Sequence, residues 1–135
     1  MAAVKSADTG PEIILRKELW SRGLRYRLHK ASLPGKPDIV FTAARVAVFV
    51  DGDYWHGNQW KLRGFASMEE QLSTVRNRDY WEKKIKRNMD RDRKVNADLR
   101  KLGWKVVRLW ESDILRRPDW AAGKVMRAVK KGGRG

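Results

Sequence analysis

The chain has 135 residues, a formal net charge of +15, 41% hydrophobic residues and no cysteine. Its length fits one domain and its apolar share supports one core, which excludes a disordered basic tail. Disulfides and thiolate zinc sites are excluded with the cysteines, and no apolar run approaches the ~20 residues of a membrane span.

The segments Met1–Thr9, 10–130 and 131–135 are expected to be a mobile arm, one folded domain and a disordered tail. Thr9-Gly10-Pro11-Glu12 is a helix start, with a Thr cap, an early Pro and an acid near the positive helix end. The helix should end at Gly23. Leu24–Leu28 alternates apolar and basic residues like a short edge strand. Pro34, Gly35 and Pro37 punctuate a loop before a strand over Asp38–Thr42. A turn at Ala43-Ala44 leads to a second strand, Arg45–Val50, whose apolar run predicts a central position. That hairpin should bring Asp38 and Asp51 side by side. The segment 58–77 has no steady period and is expected to be a loop. The clearest helix runs from Asp79 to Leu102, with Trp81, Ile85, Met89, Val95, Leu99 and Leu102 as its apolar face. Trp104–Trp110 is a third core strand, followed by a short helical turn over Glu111–Leu115 and a helix over Trp120–Val129. Trp20, Trp104 and Trp110 are expected in the core. The order predicts an α/β fold, with a central mixed sheet flanked by helices.

Lys and Arg total 31 against 16 Asp and Glu. Such a surface favours nucleic acid, because phosphate contacts release counterions and dominate affinity. Acidic membranes are a weaker alternative, since no segment carries the stripe of an interfacial helix. The bland alternative is that the charge only aids solubility. Without a signal-peptide segment, the expected location is cytoplasmic and nucleoid-associated.

Within this basic chain, a Pro37-Asp38 pair and then Asp51-Gly52-Asp53 deliver carboxylates to one edge of the predicted sheet. Phosphodiester hydrolysis needs a charge clamp on the phosphate and an activated water. Mg²⁺ supplies both through carboxylates, carbonyls and water, with Mn²⁺ as a substitute. Asp38, Asp51 and Asp53 are candidate ligands. His56, five residues past Asp51, suits proton transfer from the attacking water. The PD…DxD pattern alone is loose; a nearby His strengthens it. Lys36, Arg25, Arg87 and Arg91 are candidate phosphate contacts, against the alternative of solvated faces.

LPGKPDIVF…VAVFVDGDYWHG, with YWEKKIKRNMDRDRKVNADLRKLGWKVVRLWES, resembles the very-short-patch repair endonucleases. The resemblance spans Thr9 to Leu115. It implies a restriction-endonuclease-like (PD-(D/E)xK) core and nicking of double-stranded DNA beside T:G mismatches. The family's essential metal-binding Asp falls on Asp38, and a ligating backbone carbonyl falls on Val50. Its two active-site His positions fall on Asp51 and His56, and a glutamate tied to the metal-bound water falls on Glu12. For Glu12, simple helix capping is the alternative. The aromatics that wedge into the DNA stack fall on Tyr54, Trp55 and Trp81. The family's structural zinc ligands fall on Asp53, Asn58, Trp60 and Ser112, so no structural zinc is expected; hydrogen bonding among Asp53, Asn58 and Ser112, or Trp60 packing, would take over. Two other readings stand beside this one. The first is a restriction-like or structure-specific nuclease of the same fold. The second is a non-catalytic DNA-binding module, favoured by Asp53 where such sites usually carry Lys. With no apolar stripe left for a dimer, a monomer is expected.

Overall fold

The computed structural model describes residues 9–52 and 78–132. The expected arm over 1–9, apart from Thr9, the loop over 58–77 and residues 133–135 of the expected tail lie outside them.

The first helix, α1, spans Gly10–Ser21. Thr9 caps it: its backbone is extended, and its hydroxyl oxygen accepts from Glu12 N–H at 3.4 Å. Glu12, Leu15 and Leu19 recur at helical spacing and form its buried face. The helix closes when Gly23, at φ +83°, lets Gly23 N–H reach Trp20 O and Leu24 N–H reach Leu19 O.

Strand β1 is only Arg27–Leu28, shorter than the expected 24–28, because the chain is still leaving the helix cap at Leu24. It is an edge strand and pairs antiparallel with β2, Ile39–Phe41. The expected hairpin joins β2 to β3, Val46–Asp51, in the register Ile39↔Val48 and Phe41↔Val46. Its turn closes through Arg45 N–H to Thr42 O. The long helix α2, Arg78–Lys101, then leads to β4, Lys105–Trp110, which lies parallel to β3. Helices α3 (Glu111–Arg116) and α4 (Pro118–Gly132) follow. The sheet order β1-β2-β3-β4 places β3 inside, as its continuous apolar run requires.

Strand alternation divides the core between two sheet faces. Val46, Val48, Ile39 and Phe41 pack with Leu15 and Leu19 of α1, Ile114 of α3 and Val125 of α4. Ala47, Phe49 and Val40 pack with Leu99, Val95 and the loop residue Leu33. Helices therefore flank both faces of a mixed sheet.

Two apolar expectations are corrected. Trp20 is 52% exposed rather than core. It lies one residue off the narrow 12–15–19 stripe, and the Arg25 guanidinium covers its ring at 3.6 Å. Ile14 is exposed for the same angular reason. Leu102 is exposed too, because the helix ends one residue earlier and the chain turns at Gly103. Trp104 and Trp110 are half-buried. Among the described residues, no helix is long and apolar enough to cross a membrane.

Candidate active site

Three elements meet at one edge of the sheet. The first turn of α1 supplies Glu12, the residue after β1 is His29, and the residue before β2 is Asp38. Glu12 is 1% exposed, because the cap that starts α1 turns its side chain inward with Leu15 and Leu19. Its Oε2 accepts from Arg16 Nη1 at 3.0 Å, one helical turn on, and lies 3.0 Å from His29 Nε2. Asp38 is held on both sides. Its Oδ2 accepts from Val50 N–H at 2.8 Å, and its main-chain oxygen accepts from His29 N–H at 3.1 Å. One oxygen of each carboxylate and one ring nitrogen of His29 all lie within 4.8 Å of one another.

Burial pushes the Asp38 carboxyl up from an ordinary 3.8 to about 7. The Val50 N–H works against this shift, the Glu12 carboxylate adds to it, His29 opposes it and Asp51 adds the smallest share. A buried carboxyl beside a second carboxylate gains strongly from a neighbouring cation.

Asp51 does not join this group. Along β3 it shares a face with Ala47 and Phe49, the face that packs on α2. There Arg108 of β4 donates Nη1–H to Asp51 Oδ1 and Oδ2 at 2.9 and 3.1 Å. The same guanidinium reaches Asp92 Oδ1 at 3.4 Å, donates Nε–H to Asn96 Oδ1 at 2.7 Å and lies 4.1 Å above the Phe49 ring. The carboxylates expected side by side are thus held by different partners, although close enough for Asp51 to raise Asp38. Beside this junction a cleft of about 220 Å³ opens between α2 and the end of β4.

The other expected site residues are scattered around this edge. Val50 sits at the end of β3 and contributes the N–H to Asp38. Lys36 is exposed in the loop before Asp38, at φ +49°. Arg25 donates to Trp20 O and Leu24 O, so it helps satisfy the C-terminus of α1. Trp81 is half-buried at the start of α2 beside exposed Tyr80, with Lys84 Nζ 5.8 Å above its ring. Arg87 and Arg91 lie exposed further along α2. Ser112 is half-buried in the first turn of α3. Asp53, Tyr54, Trp55, His56, Asn58 and Trp60 lie outside the described residues.

Two residues escape the sequence reading. His29 follows a short basic strand and has no motif around it. Its signal is the antiparallel register, in which Leu28 opposite Ile39 places His29 next to Asp38. Arg108 carries a clearer signal, a guanidinium inside the otherwise apolar run of a core strand, which demands a buried partner.

Residues 1–62 match the family model described as DNA mismatch endonuclease Vsr. The chain is 38% identical over 128 residues to a type II nicking enzyme, V.HpaIIP, of Haemophilus parainfluenzae, covering 95% of this chain and 86% of the relative. It is 42% identical over 130 residues to the type II nicking enzyme V.NmeDIP of Neisseria meningitidis serogroup C, covering 96% and 83%. It is 34% identical over 111 residues to the DNA mismatch endonuclease Vsr of Escherichia coli K12, covering 82% and 66%.

Proposed function

The chain belongs to the DNA mismatch endonuclease Vsr family and is a DNA endonuclease; we propose that it is Mg²⁺-dependent and hydrolyses one phosphodiester bond of duplex DNA beside a T:G mismatch, acting as a monomer. The observation that carries this reading is the convergence of Glu12, His29 and Asp38 on one sheet edge of a chain with net charge +15. The donor set fits a divalent cation: two carboxylates and an imidazole, with one carboxylate destabilised by burial.

When bound, Mg²⁺ supplies positive charge at the scissile phosphate and acidifies a water. Asp38 is its primary ligand, and the Val50 N–H bond to Oδ2 fixes that carboxylate's orientation. Val50 also supplies the proposed carbonyl ligand. Glu12 receives protons from the attacking water's network, with Arg16 holding its carboxylate at one rotamer. His56 is the proposed proton acceptor, and Asp53 is a further candidate carboxylate. Asp51 acts through its pairing with Arg108, tying the end of β3 to β4 and α2. Tyr54, Trp55 and Trp81 are the proposed wedges at the mispaired step, where unstacking costs least. Lys36, Arg25, Arg87 and Arg91 are the proposed phosphate contacts.

The test is nicking of a T:G duplex with Mg²⁺ by wild type and Asp38→Ala. Equal activity of the two would end the catalytic assignment. Comparing mismatched, matched and branched duplexes decides between mismatch nicking and a relaxed, restriction-like nuclease.

A further inference from the structure

His29 adopts φ +46°, a left-handed conformation that costs free energy for a non-glycine residue. Its N–H is pinned to Asp38 O, while its ring turns to Glu12. Orienting Glu12 does not require this ring, because Arg16 Nη1 already lies 3.0 Å from the same Oε2. What His29 adds is a nitrogen donor among carboxylate oxygens, all within 4.8 Å.

We propose that His29 is a further protein ligand to the cation held by Asp38, beside the Glu12 carboxylate, and that its imidazole gives the site a preference for first-row transition ions over Mg²⁺. Mg²⁺ is a hard ion served by oxygen and reluctant to shed water. Imidazole favours later first-row ions, whose affinity also rises along the series toward copper. One nitrogen in an oxygen set therefore raises Co²⁺ or Zn²⁺ affinity while adding little for Mg²⁺. This inference rests on the metal reading given above.

The experiment is calorimetric titration of the intact, DNA-free protein with Co²⁺ and with Mg²⁺ near pH 8, for wild type, His29→Gln, His29→Ala and Asp38→Asn. Both His29 variants should lose at least about tenfold in Co²⁺ affinity while Mg²⁺ affinity moves by less than about threefold. Unchanged Co²⁺ affinity, or an equal loss for both ions, overturns the proposal. If Asp38→Asn binds both ions like wild type, the site itself is misplaced. If Asp38→Asn loses both and His29→Gln loses neither, only the imidazole claim fails. Should the His29 variants not fold, the ring nitrogens are read directly by NMR of ¹⁵N-labelled protein with Zn²⁺. His56→Gln assigns the spectrum, since the chain has 2 His. Coordination moves one His29 nitrogen resonance at stoichiometric Zn²⁺, and a resonance that stays in place refutes ligation.

Discussion

Asp38→Asn separates what this carboxyl does for the reaction from what it does to the fold. In the metal-free protein its folded-state pKa is about 7 against an ordinary 3.8. Between those values the folded chain keeps a proton that the unfolded chain has lost. Stability from this group therefore falls as pH rises from about 4 to about 7 and is level above that. At about 1.4 kcal/mol per pKa unit, the carboxylate costs the fold up to about 4 kcal/mol at pH 8. Asn carries no charge, and its amide oxygen can still accept from Val50 N–H. The variant should thus abolish nicking, yet exceed wild type by about 2–4 kcal/mol at pH 8 in EDTA. That margin should shrink toward zero as the pH approaches about 4. Urea unfolding at several pH values, with m unchanged, measures it. Added metal should reverse the ranking, because only wild type gains by binding. An Asp38→Asn protein less stable than wild type at pH 8 in EDTA, or a margin independent of pH, would refute the argument.

Other expectations follow from the same geometry. Metal affinity should weaken about tenfold per pH unit below about 7, because the ion competes with the Asp38 proton; calorimetry across pH reads this directly. Arg108→Met removes the bonds to Asp51 and Asp92 and should cost about 3–5 kcal/mol. The loss should be smaller by about 1–3 kcal/mol in an Asp51→Asn background, and a double-mutant cycle by urea unfolding decides. At Gly35, φ is +74° and an added Cβ would lie 2.5 Å from Val95 Cγ1. Gly35→Ala should therefore destabilise by about 2–3 kcal/mol, with partial recovery by Val95→Ala, read as the thermal midpoint. Arg87→Ala and Arg91→Ala should each lower the salt slope of DNA binding by about 1. Anisotropy titrations at several salt concentrations check this, and an unchanged slope makes the two arginines mere solvated charges.

Local physics is legible from the chain alone. The Thr9 cap, the closing Gly23, the hairpin and the long helix all depend on neighbours within a few residues, and each appears where its signal stands. So does the interior place of β3, because an apolar run must be covered on both faces. Faces one residue off a stripe are harder, as Trp20 and Ile14 show: a helix turns 100° per residue, and the width of the buried arc is set by what docks against it.

Asp38, the acid at the entry to a core strand, is marked by the sequence itself, as is a basic charge balance suited to phosphate backbones. Which groups stand beside that acid is decided only in three dimensions. Glu12 arrives on a docked helix and His29 through antiparallel register, while Asp51 meets Arg108 from a parallel neighbour. Partners of a buried charge are long-range choices, set by strand register and sheet face, and neither is written in the spacing of the residues concerned.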